Sequence, residues 1–342
     1  MMLAIFGTPS QLTYWVMNTA RLAAEVINGP MAVLTANTID ELRVRWAERG
    51  HKPVLFHADT PKRDLVELFL RIPGEAIVVI EALDEVVWFT RATRGLDPQT
   101  ALRFATRSVC TLEDLLARSG VWSIDGGILD LSLVSFSDLL IDRLFSRSTP
   151  DECAEMRDKI LAYNSDCLNV RQAVDKFVKV TLADRHERSV SGLFLQGDVA
   201  KAANVFEACF HHGVPRSMIW PPGVFVKMSD LSYLEGPIDL TGPARVLIGG
   251  HSLSLPRGLW RATVEISVSD NMSGNTILSD IFAEDRPVCA GVTSLPSKGT
   301  FSYEMEFECS DPYYPIIFRI STMEGAIEGA LNLNHVQFQQ IG

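Results

Sequence analysis

The sequence predicts an α/β plus all-β chain: a doubly wound parallel sheet with a helical extension, followed by a C-terminal antiparallel β-sandwich. Three observations carry this expectation. In the first eighty residues, short apolar runs alternate with stretches of helical periodicity, which is the pattern of strand–helix–strand units. Ala76-Ile77-Val78-Val79-Ile80 is apolar at every position, as a parallel strand buried on both faces requires. Further on, Pro215, Pro221-Pro222-Gly223, Gly236-Pro237 and Gly242-Pro243 punctuate the chain, and alternating strand-like runs replace helical periodicity. The expected domains are residues 1–233, α/β with a helical part, and residues 234–342, a β-sandwich.

The elements follow in order. Leu3-Ala4-Ile5-Phe6 is a short buried strand, broken at Gly7-Thr8-Pro9-Ser10. Leu12, Trp15, Val16, Leu22, Ala23 and Val26 then recur at helical spacing. A strand, a tight turn and a helix form the geometry that aims helix amides at an anion. Met31–Thr35 is a second strand, and Thr38 with Glu41 forms a capping box opening a helix to about Arg49. Pro53–His57 is a third strand, and Thr60-Pro61 opens a helix through Leu70 that Pro73-Gly74 stops. Residues 83–118 read as helical with a break at Gly95-Leu96-Asp97-Pro98, and Gly120–Leu133 as irregular or short-stranded. Helices are expected at Ser137–Phe145, Pro150–Tyr163, Leu168–Leu182 and from Gly197 to about His211. Strands are expected at Arg245–Ile248, His251–Leu255, Trp260–Val268, Thr276–Phe282, Thr300–Cys309, Ile316–Thr322 and Leu331–Gln339.

Composition narrows the function classes. Of 342 residues, 47% are apolar and 21% charged, ordinary for a globular chain with sizeable cores. The net charge of −11 argues against nucleic acid as a partner. Residues 238–342 hold 12 acidic and 6 basic side chains, so a neutral or weakly charged ligand is expected there. No apolar run reaches the ~20 residues of a membrane span. The start lacks a basic segment, and a cytoplasmic location is expected. The six cysteines form no C-x-x-C pair, His211-His212 reads as a helix end, and no metal site is expected.

The turn Gly7-Thr8-Pro9-Ser10-Gln11-Leu12-Thr13-Tyr14 carries a family resemblance. Residues 1 to about 118 resemble the P-loop sulfotransferase fold, whose phosphosulfate loop often reads Gly-Thr-Pro-Arg-Ser-Gly-Thr-Thr. The basic residue and second glycine of that loop are missing here. The family's Arg-x-Pro turn has its place at Ile80-Glu81-Ala82-Leu83-Asp84, which is acidic. The resemblance implies 3′-phosphoadenylyl sulfate as cosubstrate, held by Gly7, Thr8, Ser10 and Thr13. Arg91, Arg94, Arg103 and Arg107 supply guanidinium groups after the buried strand, suited to phosphate or sulfate; solvated helix faces are the alternative reading. His57 stands at a strand's carboxyl end as candidate general base for a sugar hydroxyl, with Asp59 orienting it; capping and packing roles are the alternative. The motifs G-x-x-x-x-G-K-[ST] and Gly-x-Ser-x-Gly are absent.

The second half resembles the jelly-roll modules attached to bacterial glycan-modifying proteins. Asp239-Leu240-Thr241-Gly242, Leu255-Pro256-Arg257-Gly258-Leu259-Trp260 and the alternating run to Val268 carry this resemblance. It implies aromatic side chains stacked on sugar rings. Trp260, Tyr303, Tyr313 and Tyr314 are the candidates, with Trp260 read as core. Tyr313-Tyr314, between Pro312 and Pro315, is the best placed pair. Asp270–Asn275 reads as a hairpin turn in preference to a calcium loop. Two functions follow. One is a sulfotransferase-like protein modifying a bacterial polysaccharide or a glycolipid acceptor. The other is a glycan-binding or scaffolding protein with a decayed donor site, working beside a partner glycan-assembly enzyme.

Overall fold

The computed structural model describes residues 2–72, 76–181, 217–250 and 252–342. The helix expected from Gly197, with Cys209 and His211-His212, lies outside them, as does the Pro73-Gly74 stop. The described residues divide into two compact units, 2–95 with 111–181, and 96–110 with 217–342.

In the first unit, β1 (Met2–Gly7), β2 (Ala32–Thr35), β3 (Val54–Ala58), β4 (Ala76–Val79) and β5 (Val121–Ile124) form a parallel sheet in the order β2-β3-β1-β4-β5. The helices are α1 (Gln11–Asn28), α2 (Ile39–Glu48), α3 (Arg63–Arg71), α4 (Leu83–Arg94), α5 (Pro98–Leu116), α6 (Leu133–Leu144), α7 (Pro150–Tyr163) and α8 (Val170–Thr181). Strand side chains alternate between two cores. Leu3, Ile5, Leu55, Ile77 and Val79 pack with Trp15 and Val16 of α1 and with α6 to α8. Phe6, Phe56 and Val78 pack on the other face with Leu65, Val66 and Phe69 of α3 and with Leu112 and Leu115 of α5. There the Phe69 ring lies 5.0 Å from Phe6 and 4.6 Å from Phe56. This two-sided burial is why β1, β3 and β4 read as continuous apolar runs.

Helix ends follow their chemistry. Thr149 and Glu152 form the full capping box of α7. At α2 the Thr38 hydroxyl accepts from the Glu41 amide, while the Glu41 carboxylate reaches one residue further back, to the Asn37 amide at 2.8 Å. The start of α3 differs from expectation. It begins at Arg63 without a side-chain cap, because Thr60 is buried and its hydroxyl donates to Asp59. Gly95 takes the left-handed conformation that ends α4, φ 68°, which suits glycine. No helix among the described residues is long and apolar enough to cross a membrane.

The second unit holds two five-stranded antiparallel sheets. One is β13 (Gly299–Cys309), β10 (Gly258–Ser269), β15 (Ala330–Gln340) and β6 (Ser217–Trp220), with β8 (Ile238–Asp239) also on β15. The other is β12 (Arg286–Ser294), β11 (Thr276–Ala283), β14 (Ile317–Thr322), β9 (Val246–Gly250) and β7 (Phe225–Lys227). Along β10 the alternation is complete: Trp260, Ala262, Val264, Ile266 and Val268 are buried and the residues between them are not. Trp220 lies 4.3 Å from Phe338 of its own sheet and 6.2 Å from Phe225 of the other, so these rings join the two layers.

Elements N-terminal to residue 234 belong to this sandwich. β6 pairs with β15 and β7 with β9, and residues 96–110, which include α5 up to Cys110, fall in the same unit. The run His251–Leu255 forms no strand among its described residues; only a bridge from Leu253 to Ile316 remains. A fragment of residues 234–342 therefore lacks Trp220 and Phe225, exposing Phe338 and Phe318. We expect it to melt without a cooperative transition, and a fragment restoring residues 217–233 to recover part of the near-ultraviolet dichroism. A cooperative melt of the shorter fragment would show that β6 and β7 are dispensable.

Candidate functional site

In the first unit the chain leaves β1 towards β2 on one side and leaves β4 towards β5 on the other. The crevice of a doubly wound sheet therefore lies between the carboxyl ends of β1 and β4. The turn Gly7-Thr8-Pro9-Ser10 reaches it from β1, and Ile80-Glu81-Ala82 from β4. The two turns are tied together: the Thr8 amide donates to Val79 O at 3.0 Å, and the Glu81 amide to the Thr8 hydroxyl at 3.2 Å. Ser10 caps α1 in extended backbone, its hydroxyl accepting from the Thr13 amide at 3.2 Å.

The turn is filled by side chains of the chain itself. Thr8, Ser10 and Thr13 are all 0% exposed. A Cβ built on Gly7 would meet the Thr13 side chain at 2.6 Å, so the glycine is explained by the close approach of Thr13. The anion position at the amino end of α1 is met by Glu81, whose carboxylate accepts from the Leu12 amide at 3.4 Å and has the Ser10 side chain as a second hydrogen-bonding neighbour. Burial raises the Glu81 carboxyl to about 7, against the pull of Ser10 and the Leu12 amide; the nearby carboxylates of Glu85 and Asp84 push the same way as burial.

His57 and Asp59 lie at the end of β3, on the same edge. Their predicted partnership does not form. The His57 ring is 1% exposed, and its Nδ1 lies 3.1 Å from Ile5 O. A carbonyl accepts only, so Nδ1 carries the proton and Nε2 keeps its lone pair, with no hydrogen-bond partner among the described residues. Burial holds the imidazole below its usual range, the charge of Asp59 opposing. Asp59 instead accepts from Asn37 Nδ2 at 2.9 Å, from the Thr60 hydroxyl and from Arg94 at 2.9 Å. Arg94 is thus committed to a buried carboxylate, and Arg91 is half-buried on the same helix. Tyr14 stands among them, 5.6 Å from the His57 ring and 5.6 Å from Phe89, its hydroxyl raised by burial and by Asp59.

In the second unit, Trp260 is fully buried and its Nε1 donates to Pro256 O at 2.8 Å, a core role. Tyr303 bonds Ser279 across the two sheets, and burial pushes its hydroxyl up to about 12. Tyr313 and Tyr314 are half-buried and meet edge to face, centroids 5.3 Å apart. The guanidinium carbon of Arg107 lies 5.2 Å from the Tyr313 ring. Asn271 organises the 270–275 turn, donating to Leu295 O and Pro296 O and accepting from Asn275. The expected hairpin does not form there, because β10 and β11 belong to different sheets and the turn crosses from one to the other. Among the described residues no group of three or more His, Cys, Asp or Glu is placed to hold a metal.

Two features escaped the sequence. The acidic character of Glu81 was visible, but not that its carboxylate would turn back to the α1 terminus. Arg103 and Arg107 were grouped with Arg91 and Arg94 along one helical region, whereas they fall in the second unit beside Tyr313.

No protein-family model and no curated protein sequence matches this chain. Solved structures with a weak likeness include carbohydrate-binding modules. The C-terminal CBM6 of LamC, a laminarinase of Zobellia galactanivorans, is 11% identical over 36% of this chain and 99% of its own, with a TM-score of 0.25. The CBM36-1 domain of a xylanase from the hindgut metagenome of Trinervitermes trinervoides is 11% identical over 37% and 98%, with a TM-score of 0.27. TmCBM61, solved with β-1,4-galactotriose, is 11% identical over 40% and 94%, with a TM-score of 0.24. At these identities and scores the likeness transfers no function, and the two-sheet architecture stands on the strand pairing described above.

Proposed function

We propose that this chain is a glycan-binding or scaffolding protein whose second unit engages the carbohydrate and whose sulfotransferase-like turn is closed. The observation that carries the second clause is the Glu81 carboxylate at the amino end of α1. A donor phosphate at Gly7–Thr13 would meet that carboxylate and the packed Ser10 and Thr13 side chains. An ionised Glu81 repels a phosphate strongly where water is excluded, and with its carboxyl at about 7 that repulsion grows as pH rises through neutrality. The carbohydrate is assigned to the Tyr313-Tyr314 turn, where flanking prolines limit the entropy lost on binding.

A second reading is favoured by one observation: the 2-3-1-4-5 strand order sets the Gly7-Thr8-Pro9-Ser10 turn at the crevice of the sheet. In it, 3′-phosphoadenylyl sulfate is the cosubstrate, and a polysaccharide or glycolipid is the acceptor. That reading requires Glu81 to vacate the helix terminus, Arg94 to release Asp59, and His57 to reach solvent. A partner glycan-assembly enzyme belongs to the first reading and is tested by co-purification.

Calorimetric titration with adenosine 3′,5′-bisphosphate separates the two. The closed turn predicts no heat and no thermal shift at millimolar nucleotide. Binding that weakens in Arg91→Ala or Arg94→Ala would establish the transferase reading. For the tyrosine turn, the Tyr313→Ala/Tyr314→Ala double variant is expected to lose retention in glycan-containing affinity gels while keeping a cooperative melt. Unchanged retention in that folded variant would move the glycan elsewhere.

Glu81 also makes a pH prediction. Its carboxyl sits at about 7 in the folded chain against an ordinary 4.5, so the folded state binds that proton more tightly. Its stabilising contribution is complete below pH 4.5 and is lost as pH rises through 7. Glu81→Gln removes the titration while keeping an acceptor for the Leu12 amide. The variant should melt several degrees above the parent at pH 8, the effect of roughly 3 kcal/mol, and within a degree or two of it at pH 5. Equal melting temperatures across this range would mean that Glu81 is solvated.

A further inference from the structure

We propose that the saccharide taken by the Tyr313 turn is an acidic one, carrying a carboxylate or sulfate, and that Arg103 and Arg107 receive that charge. The inference rests on the glycan-binding reading and adds the chemical class of the ligand. It reverses the expectation of a neutral sugar that the acidic composition of residues 238–342 suggested.

The geometry comes from one face of α5. Gln99, Arg103 and Arg107 recur every fourth residue, so their side chains rise in one row. Each meets a different segment of the sandwich unit. The Gln99 amide donates to Gly223 O at 3.2 Å, Arg103 approaches the Ser252 hydroxyl at 3.5 Å, and Arg107 lies over the Tyr313 ring. The segments are themselves adjacent, since the Ile316 amide donates to Leu253 O at 2.9 Å. Ser254 is held there by the Thr106 hydroxyl, 3.4 Å from its amide. A ring, two guanidinium groups and a serine hydroxyl thus share one patch of one unit.

The patch is rich in polar atoms that the described residues leave without hydrogen bonds. Arg103 Nε, Arg107 Nε, Gln99 Oε1 and Ser254 Oγ are all buried with no hydrogen-bond partner among the described residues. Gln99 is 6% exposed and Ser254 0%, so each orphaned atom bears the full cost of desolvation unless a ligand meets it. Neither guanidinium forms a salt bridge with a carboxylate among the described residues, and at the turn itself the Asp311 carboxylate accepts from the Tyr313 amide at 3.0 Å. Asp97 lies near enough to Arg103 to act on its charge, but its carboxylate accepts from the Gln99 and Thr100 amides, which fixes it as the cap of α5. Two half-buried cations side by side repel unless an anion joins them, and the planar guanidinium matches carboxylate and sulfate oxygens in pairs. The half-buried Tyr313 ring, with Arg107 and Tyr314 against it, adds aromatic surface beside the guanidinium groups, which suits a saccharide better than a bare anion.

The test is affinity electrophoresis of the full chain in gels containing polygalacturonate, its carboxyl-reduced counterpart, dextran sulfate or dextran. We expect retardation by an acidic polymer and little by its neutral partner, declining as salt is raised. The Arg103→Gln and Arg107→Gln variants should each be retarded about tenfold more weakly, or less still. Arg286→Gln, which removes an exposed arginine of β12, should match the parent. Equal retardation by charged and neutral partners, or acidic retardation unchanged in both variants, overturns the acidic class and leaves the glycan reading standing. Loss of equal size in Arg286→Gln shows diffuse charge attraction and also overturns it. No retardation in any gel overturns both. Should the arginine variants fail to melt cooperatively, the comparison of each polymer with its neutral partner in the parent protein decides the matter alone.

Discussion

The carboxyl edge of the first sheet depends on how the amino end of α1 is satisfied. A helix terminus presents unpaired amides and a partial positive charge, and in a buried place something must answer both. Here the answer comes from the chain. Ser10 takes the Thr13 amide and Glu81 takes the Leu12 amide, while Thr8 ties the two turns to each other. The remaining features of the edge follow. Gly7 has no side chain because Thr13 fills its space, and Arg94 turns to Asp59. The His57 imidazole, anchored by Ile5 O, stays neutral beneath Tyr14.

Much of this fold is legible from residue order because the strongest sequence signals are also the strongest burial requirements. β1, β3 and β4 are apolar on both faces because both faces of the sheet are covered. β10 alternates because only one of its faces is. Thr149-Pro150-Asp151-Glu152 marks the start of α7 by chemistry confined to four residues. What was not legible lacks such a local requirement. β12 is an edge strand in which residues alternate between exposed and half-buried, and it carries Pro287 and Gly291, so its pattern resembles a loop. β6 and β7 are four and three residues long, too short to show a period. Their membership in the sandwich rests on long-range pairing with β15 and β9.

The candidate sites divide the same way. The sequence located the carboxyl edge of the sheet and the turn after β1, since these follow from alternating strands and helices. It did not reveal the occupant, because Glu81 meets α1 across 69 positions of chain. The residues that resemble a donor loop are therefore compatible with a turn packed for its own stability. Gly-Thr-Pro followed by a hydroxyl residue serves a capped helix as well as it serves a phosphate.

Net charge misled for a related reason. A count over residues 238–342 averages carboxylates spread along strands: Glu304 and Glu306 face Arg261 on one sheet, and Asp280 holds Arg319 on the other. A ligand senses charge within about one Debye length, ~8 Å at physiological salt, and most strongly where water is excluded. At the Tyr313 turn the charge within that reach includes the Asp311 carboxylate, which accepts from the Tyr313 amide at 3.0 Å, and Arg107, contributed by a helix that precedes the sandwich strands by more than a hundred residues. Removing a guanidinium group from water costs several kcal/mol unless an anion or a full set of acceptors replaces the hydration. Among the described residues Arg103 reaches the Ser252 hydroxyl, Arg107 the Tyr313 ring, and neither forms a salt bridge, so the two guanidinium groups favour a negative ligand group. The sign of a binding surface is thus set by the few charges left uncompensated by the fold, and it need not follow the sign of the domain.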